Sequence, residues 1–174
     1  VIMVGISRDG GWYHYDGDID SIEKDCWQEK CTGKAILSPD SKDKSLYVFE
    51  GEGYKALPVD VIFPVLHGKN GEDGTIQGLL EMAEIPFVGC TTMSSALTMD
   101  KEKTKQVLQS ANIPVVPYIC MKRSDLNDSH RYDEVFQRCI DELGFPLFIK
   151  PCCAGSSNGA NKATNKKELS FYLM

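Results

Sequence analysis

Residues 59–89 read VDVIFPVLHGKNGEDGTIQGLLEMAEIPFVG, and this stretch decides how the rest of the chain is read. It divides into three units. Val61–Leu66 is a short apolar run of the kind that forms a buried parallel strand. His67–Gly74 is a polar loop with three glycines, a histidine and two acids. Thr75–Met82 then places Ile76, Leu79, Leu80 and the following Ala83 at helical spacing. A strand, a glycine-rich loop and a helix start leave free backbone N–H groups pointing out of one junction, which suits an anionic ligand. Pro86–Gly89 reads as the next strand, close enough for a βαβ unit.

Composition narrows the class. The chain has 174 residues, 42% hydrophobic and 25% charged, which suits an ordinary globular protein of one or two small domains. A net charge of −6 argues against nonspecific binding to nucleic acid or to an anionic membrane surface. No apolar run approaches the roughly 20 residues of a membrane helix, and the opening residues carry no secretory pattern. The seven cysteines include no CxxC pair and no zinc spacing, so they read as free thiols in a reducing cytoplasm. Val1 falls in mid-strand and Met174 inside a helical pattern, so the expectation is a piece of a longer protein or its ordered part.

Upstream of the central stretch, Val1–Ser7 reads as a strand, Arg8–Gly11 as a turn and Trp12–Tyr15 as the returning strand of a hairpin. Trp12, Tyr13 and Tyr15 read as packing residues rather than a stacking platform. Ile19–Trp27 is a polar helix candidate. Gln28–Lys55 is polar and broken, with short strand candidates at Ala35–Leu37 and Leu46–Phe49, and is expected to be an exposed hairpin or loop. Downstream, Thr92–Met99 is a short helix, and Asp100 caps a second one over Lys101–Ala111, stopped by Asn112-Ile113-Pro114. Val115–Met121 reads as a strand. Tyr132, Val135, Phe136, Cys139, Ile140 and Leu143 form an amphipathic stripe ended by Gly144. Leu147–Lys150 is a strand, CCAGSSNGAN a small-residue loop, and Lys166–Met174 the start of a helix capped by Thr164 or Asn165.

The candidate chemistry lies in three places. Lys150 ends an apolar run just before Gly155-Ser156-Ser157-Asn158-Gly159. Phosphate would explain such a lysine, since its ammonium is a compact charge and the glycines and serines let backbone and hydroxyl donors close over phosphate oxygens. A snorkelling surface lysine beside a flexible loop is the plainer alternative. No P-loop or dinucleotide fingerprint is present. His67 is either a structural residue or a substrate contact able to handle protons near neutral pH. Glu72 and Asp73 suit a helix N-terminus on charge alone. Lys101 and Lys105 lie one helical turn apart and read equally well as surface residues.

Four segments in order carry a family resemblance: LHGKNGEDGTIQGLLE, IPFVGC, SSALTMDKEKTK and FPLFIKPCCAGSS. Together they resemble the D-alanine–D-alanine ligase family of ATP-grasp enzymes, over nearly the whole chain from about Val1 to Leu169. The opening GISRDGGWYHYDG and the HGKNGEDG loop are most similar to the D-alanine–D-serine ligases of the VanG vancomycin-resistance type. The resemblance implies an α/β fold. A parallel-sheet, Rossmann-like N-terminal substrate domain (residues 1–98) is followed by the first part of a central ATP-grasp domain (residues 99–174).

The implied reaction has two steps. A first D-alanine carboxylate takes the γ-phosphoryl group of ATP, and the amine of a second D-amino acid (D-serine or D-alanine) attacks the acyl phosphate. The product serves peptidoglycan precursors. By the same resemblance, Lys101 and Lys150 contact ATP phosphates, and Gly155, Ser156 and Ser157 cover them. Ser156 also helps hold the first substrate, beside His67 and Glu72. Ser156 and His67 are the implied catalytic positions. ATP and Mg2+ are the implied cofactors, with the metal carboxylates expected on chain beyond Met174 and none in these residues. A cytoplasmic homodimer is expected by analogy. Where the family loop carries GSSVG, this chain has Asn158, Ala160 and Asn161 in GSSNGANKA. Since the implied metal ligands and second-substrate site fall outside these residues, the 174-residue chain by itself is expected not to ligate. Other readings are a different ATP-grasp carboxylate–amine ligase, or a non-catalytic α/β binding module.

Overall fold

A computed structural model describes residues 1–173, a mixed α/β chain whose contacts divide it into two compact units. The first comprises Val1–Val65 and Ile76–Cys90, and the second comprises Leu66–Thr75 and the chain from Thr91 onward.

The first unit holds a five-stranded antiparallel sheet in sequential order: β1 (Met3–Ile6), β2 (Trp12–Tyr15), β3 (Cys31–Leu37), β4 (Ser45–Glu50) and β5 (Gly53–Pro58). The expected first hairpin is present, with Ile6 opposite Trp12. The link from β2 to β3 carries α1 (Ile19–Glu23), whose N-cap Asp18 accepts a hydrogen bond from the Ser21 N–H at 2.7 Å, and a 3-10 turn over Trp27–Lys30.

Gln28–Lys55 contains the expected hairpin, with Ala35–Leu37 paired to Leu46–Val48, but it is not the exposed segment its composition suggests. It supplies the middle of the sheet, and Ala35, Leu37, Leu46 and Val48 are among the most buried residues of the unit. Burial alternates along β3 and β4: Ala35 and Leu37, and Leu46 and Val48, face inward, while Ile36 and Phe49 are exposed. The unit's other buried apolar residues are Tyr15 and, around α2 (Thr75–Met82), Ile76, Leu80, Ala83 and Ile85.

Val61–Leu66 was expected as a buried parallel strand, and Pro86–Gly89 as its neighbour. The parallel pairing exists, but as one bridge: Ile62 N–H donates to Pro86 O and Val88 N–H to Ile62 O, both at 2.9 Å. Val61, Phe63 and Val65 are exposed, Phe63 by 72%. Pro64 and Pro86 have no N–H to extend the ladder. The same physics corrects Val115–Met121, which forms no strand; Pro114 and Pro117 interrupt its donors.

The second unit begins its helices with local caps. Thr91 caps α3 (Thr92–Met99), Asp100 caps α4 (Lys101–Ser110), and Asp128 caps α5 (Ser129–Arg138). The last continues as a π-helical turn, Cys139–Leu143, and stops at Gly144 with φ 69°. β6 (Leu147–Ile149) pairs antiparallel with β7 (Asn161–Ala163), a strand that the small-residue reading of the preceding loop does not anticipate. α6 (Lys166–Leu173) follows, with Asn165 Oδ1 accepting from the Glu168 N–H and Glu168 reaching back to the Thr164 N–H and hydroxyl. Met174, the last residue of the expected helix, lies outside the described residues. Cys139, Leu147, Ala163 and Leu169 form the core, with Ile119, Val135, Phe136, Ile140 and Ile149 packed around it.

The Asp100 cap yields a stability prediction. Its Oδ1 accepts from the Glu102 and Lys103 N–H groups at 2.9 and 3.1 Å. Asp100→Ala is expected to cost roughly 0.5–2 kcal/mol, with Asp100→Asn or Asp100→Ser recovering most of it. Urea denaturation of the three variants checks this; equal midpoints for wild type and the alanine variant would refute the capping role.

Candidate functional site

Within the second unit, a cavity of about 130 Å³ is lined by Lys101, Lys150, Pro151, Ala154, Gly155, Ser156, Ser157, Asn158 and Ala160. Five of the sequence-derived site residues therefore meet: both lysines and the Gly155-Ser156-Ser157 run. Their convergence follows from the fold. β6 carries Lys150 just past its end, the 151–160 loop turns back into β7, and α4 presents Lys101 at its first position.

The two lysines are held differently. Lys101 Nζ donates to Pro151 O at 3.1 Å, to Cys152 O at 3.3 Å and, at very short range, to Ala154 O. Its backbone N–H also donates to Cys152 O at 3.1 Å. Three carbonyls thus use the three donors of the ammonium and tie the start of α4 to the loop. Lys150 is exposed, with its ammonium 5.8 Å from the centre of the Phe148 ring. Neither lysine has an ion-pair partner within 4.0 Å among the described residues, so two positive charges face one small cavity without a carboxylate to neutralise them.

The loop itself is sharply turned. Ser156 and Ser157 have φ values of 49° and 58°, and the Asn158 N–H closes the turn on Gly155 O at 2.9 Å. Left-handed backbone at a residue with a Cβ costs of the order of 1–3 kcal/mol. Two such residues in succession at a cation-lined cavity are the kind of local expense found where backbone and hydroxyl groups must be aimed at a ligand. Asn158 is exposed, so the departure from the family's apolar residue places a polar side chain in solvent. The cavity lining contains cations, hydroxyls and backbone donors, which fit the phosphates of a nucleotide. It contains no Asp or Glu, and among the described residues no cluster of three or more His, Cys, Asp or Glu is placed to hold a metal.

His67 and Glu72 do not line this cavity. Both are exposed, in the loop that precedes α2. Glu72 turns back to accept from the Gly68 N–H, which closes the loop on itself. Asp73, outside the sequence-derived site, does more: one carboxylate oxygen accepts from the Asn70 N–H at 2.9 Å and the other from the Thr75 N–H at 3.1 Å. Gly74 sits at φ 91°, and a Cβ there would come within 2.7 Å of Thr92 O, so the turn admits no side chain. The spacing of Asp73 one residue before Gly74 at a helix start was the available signal.

The Asn70 N–H, followed by the Thr75 hydroxyl and N–H, holds the Asp73 carboxyl below its ordinary value. A depressed folded value means the loop contact is fully present above about pH 4, the unfolded carboxyl's range, and is lost as pH falls through the folded value. Faster amide exchange at Asn70 and Thr75 is therefore expected only below about pH 4. Equal protection of both amides in wild type and Asp73→Asn would remove Asp73 from this role.

Comparison with known proteins places the chain. The family description "D-ala D-ala ligase N-terminus" matches residues 1–90, and "D-ala D-ala ligase C-terminus" matches residues 107–174. A D-alanine--D-alanine ligase of Treponema denticola is 44% identical over 177 residues, covering 96% of this chain and 46% of that protein. The D-alanine--D-alanine ligase of Thermoanaerobacter sp. (strain X514) is 41% identical over 169 residues, covering 97% of this chain and 46% of that one. The crystal structure of the VanG D-Ala:D-Ser ligase from Enterococcus faecalis superimposes with a TM-score of 0.84 at 40% identity, covering 99% of this chain and 48% of that one. The chain thus spans about half the length of the relatives it matches. With two successive matching regions that together span most of its length, this chain belongs to the D-alanine–D-alanine ligase family.

Proposed function

We propose that the protein to which these residues belong is an ATP-dependent ligase joining D-alanine to a second D-amino acid for peptidoglycan precursors. The observation that carries this reading is the meeting of Lys101, Lys150 and Gly155–Ser157 around one cavity in a chain of this family. Lys150 and Lys101 offset phosphate charge, and the backbone and hydroxyls of Ser156 and Ser157 position the transferred group; positioning and charge stabilisation supply most of the catalysis of phosphoryl transfer. Lys101 reaches phosphate by exchanging one of its carbonyl partners, so loop movement and ligand binding are linked. Covering the site matters because an acyl phosphate is readily hydrolysed. His67 and Glu72 bind the first D-alanine on the loop that Asp73 shapes. Mg2+ would neutralise further phosphate charge, through carboxylates outside these residues.

The likeness to the VanG D-Ala:D-Ser ligase favours D-serine as the second substrate and a role in vancomycin resistance; the curated relatives favour D-alanine. A site that hydrogen-bonds the serine hydroxyl discriminates strongly, whereas an apolar pocket does not. We place the domain boundary near Met99, between residues 1–98 and 99–174; the gap between the two family matches, residues 91–106, supports it. We assign the protein to the cytoplasm as a homodimer. Among the described residues no helix is long and apolar enough to cross a membrane.

The test is ATP- and magnesium-dependent phosphate release by the full-length protein with D-alanine plus D-alanine or D-serine. Release with neither pair would overturn the ligase reading. The isolated 174 residues are expected to show no turnover, and measurable dipeptide formation by them would contradict that expectation.

A further inference from the structure

The outer face of the β6–β7 pair carries two side chains, Phe148 and Lys162, with no part in the chemistry proposed above. Leu147 and Ala163 are buried and Ile149 packs on the core, so alternation along the two strands turns Phe148, Lys150 and Lys162 to the opposite face. All three are exposed, Phe148 by 65%. Phe148 stands directly opposite Lys162, and its ring centre lies 5.8 Å from the Lys150 ammonium. Lys162 is therefore a diagonal neighbour of Lys150, within reach for two long side chains. Like Lys150, it has no ion-pair partner within 4.0 Å among the described residues. In a chain of net charge −6, two unneutralised cations on one strand pair make a local positive face, and Lys150 joins that face to the lysine cavity. Guarding the open edge of β7 would account for a lysine at 162, but not for two lysines beside one exposed aromatic ring.

We propose that Lys162 is a further nucleotide-binding residue, whose ammonium meets the phosphate nearest the nucleoside. This deepens the ligase reading above and rests on it. The direction follows from the strands. Lys150 is the last residue before Pro151 and the loop that carries Ser156 and Ser157, while Phe148 and the opposite Lys162 lie two residues back along β6, about 7 Å by the rise of a strand. A nucleotide with its terminal phosphate under Ser156 and Ser157 and its middle at Lys150 therefore points its nucleoside end toward Lys162. A lysine ammonium is a compact charge suited to a single phosphate group. The phosphate nearest the nucleoside is common to ATP and ADP, so Lys162 contributes to holding both.

The test titrates full-length protein with ADP by isothermal titration calorimetry, at low and at physiological salt. Lys162→Ala is expected to weaken ADP binding roughly five- to twentyfold, the loss of one charge-assisted contact at an exposed site, and less so at the higher salt. Lys162→Glu weakens it further, because it sets a like charge against the phosphate. Lys162→Arg keeps the charge and stays within about twofold of wild type. Unchanged affinity in both Lys162→Ala and Lys162→Glu overturns the proposal, as does a loss independent of salt. A loss in Lys162→Arg equal to that in Lys162→Ala also overturns it, since shape and not charge would then be at stake. Wild-type binding with unaffected Lys162 variants sinks this assignment alone, whereas no ADP binding by wild type sinks the ligase reading with it.

Discussion

Full-length protein carrying Lys150→Ala is expected to lose ATP-dependent phosphate release by about 100- to 1,000-fold, or to show an equivalent rise in the KM for ATP. That range is what removal of one preorganised charge-stabilising donor costs elsewhere. Lys150 suits the test because its ammonium lies in the open, with an aromatic face 5.8 Å away and no ion pair among the described residues. Removing it takes away charge and little structure. Lys101→Ala is less clean, since it also deletes the three contacts that tie α4 to the 151–154 turn. A single KM change, with kcat untouched, would mean that Lys150 binds ATP equally in the ground and transition states; a fall in kcat would place it at the developing charge. ATP kinetics unchanged in both parameters would remove Lys150 from the site.

Leu169→Ala is expected to destabilise the second unit by roughly 2–5 kcal/mol, the range for truncating a fully buried leucine. Leu169 is 1% exposed and packs with Leu147, Ala163 and Cys139. Leu147 and Ala163 are directly opposite in the β6–β7 pair, so the cavity left by Leu169 opens under the strand whose end carries Lys150. A loss of that size is a large share of the roughly 5–15 kcal/mol that stabilises a typical domain. The midpoint of denaturant unfolding should fall with little change in slope. A change below about 1 kcal/mol would show that the site collapses around the missing atoms, or that α6 does not share this core.

Most helix starts were legible because capping is local. Asp100 bonds to N–H groups two and three residues on, and Asn165 caps by the same short-range geometry; Asp128 caps α5 likewise, within a stretch read as a polar connector. The amphipathic stripe from Tyr132 to Leu143 also formed as its period required, with a π-helical last turn. Proline was the main source of error in strands. Val61–Leu66 and Val115–Met121 are apolar enough for a ladder, yet each contains a residue that cannot donate to one. Gln28–Lys55 does form the expected hairpin, but not an exposed one: Ala35, Leu37, Leu46 and Val48 of β3 and β4 are buried, and only the start of β5 is exposed throughout.

The order of segments from HGKNGEDG to IKPCCAGSS by itself determined the family and which residues to watch, because short motifs keep their chemistry wherever the chain takes them. Only the tertiary structure decided how those residues divide. Lys101 is held by carbonyls 50–53 residues away, Lys150 stands open, and His67 and Glu72 stay outside the lysine cavity on a loop shaped by Asp73. The physical reason is range. A cap or a turn is closed by neighbours within a few residues, whereas a carbonyl cradle exists only once distant segments have packed together.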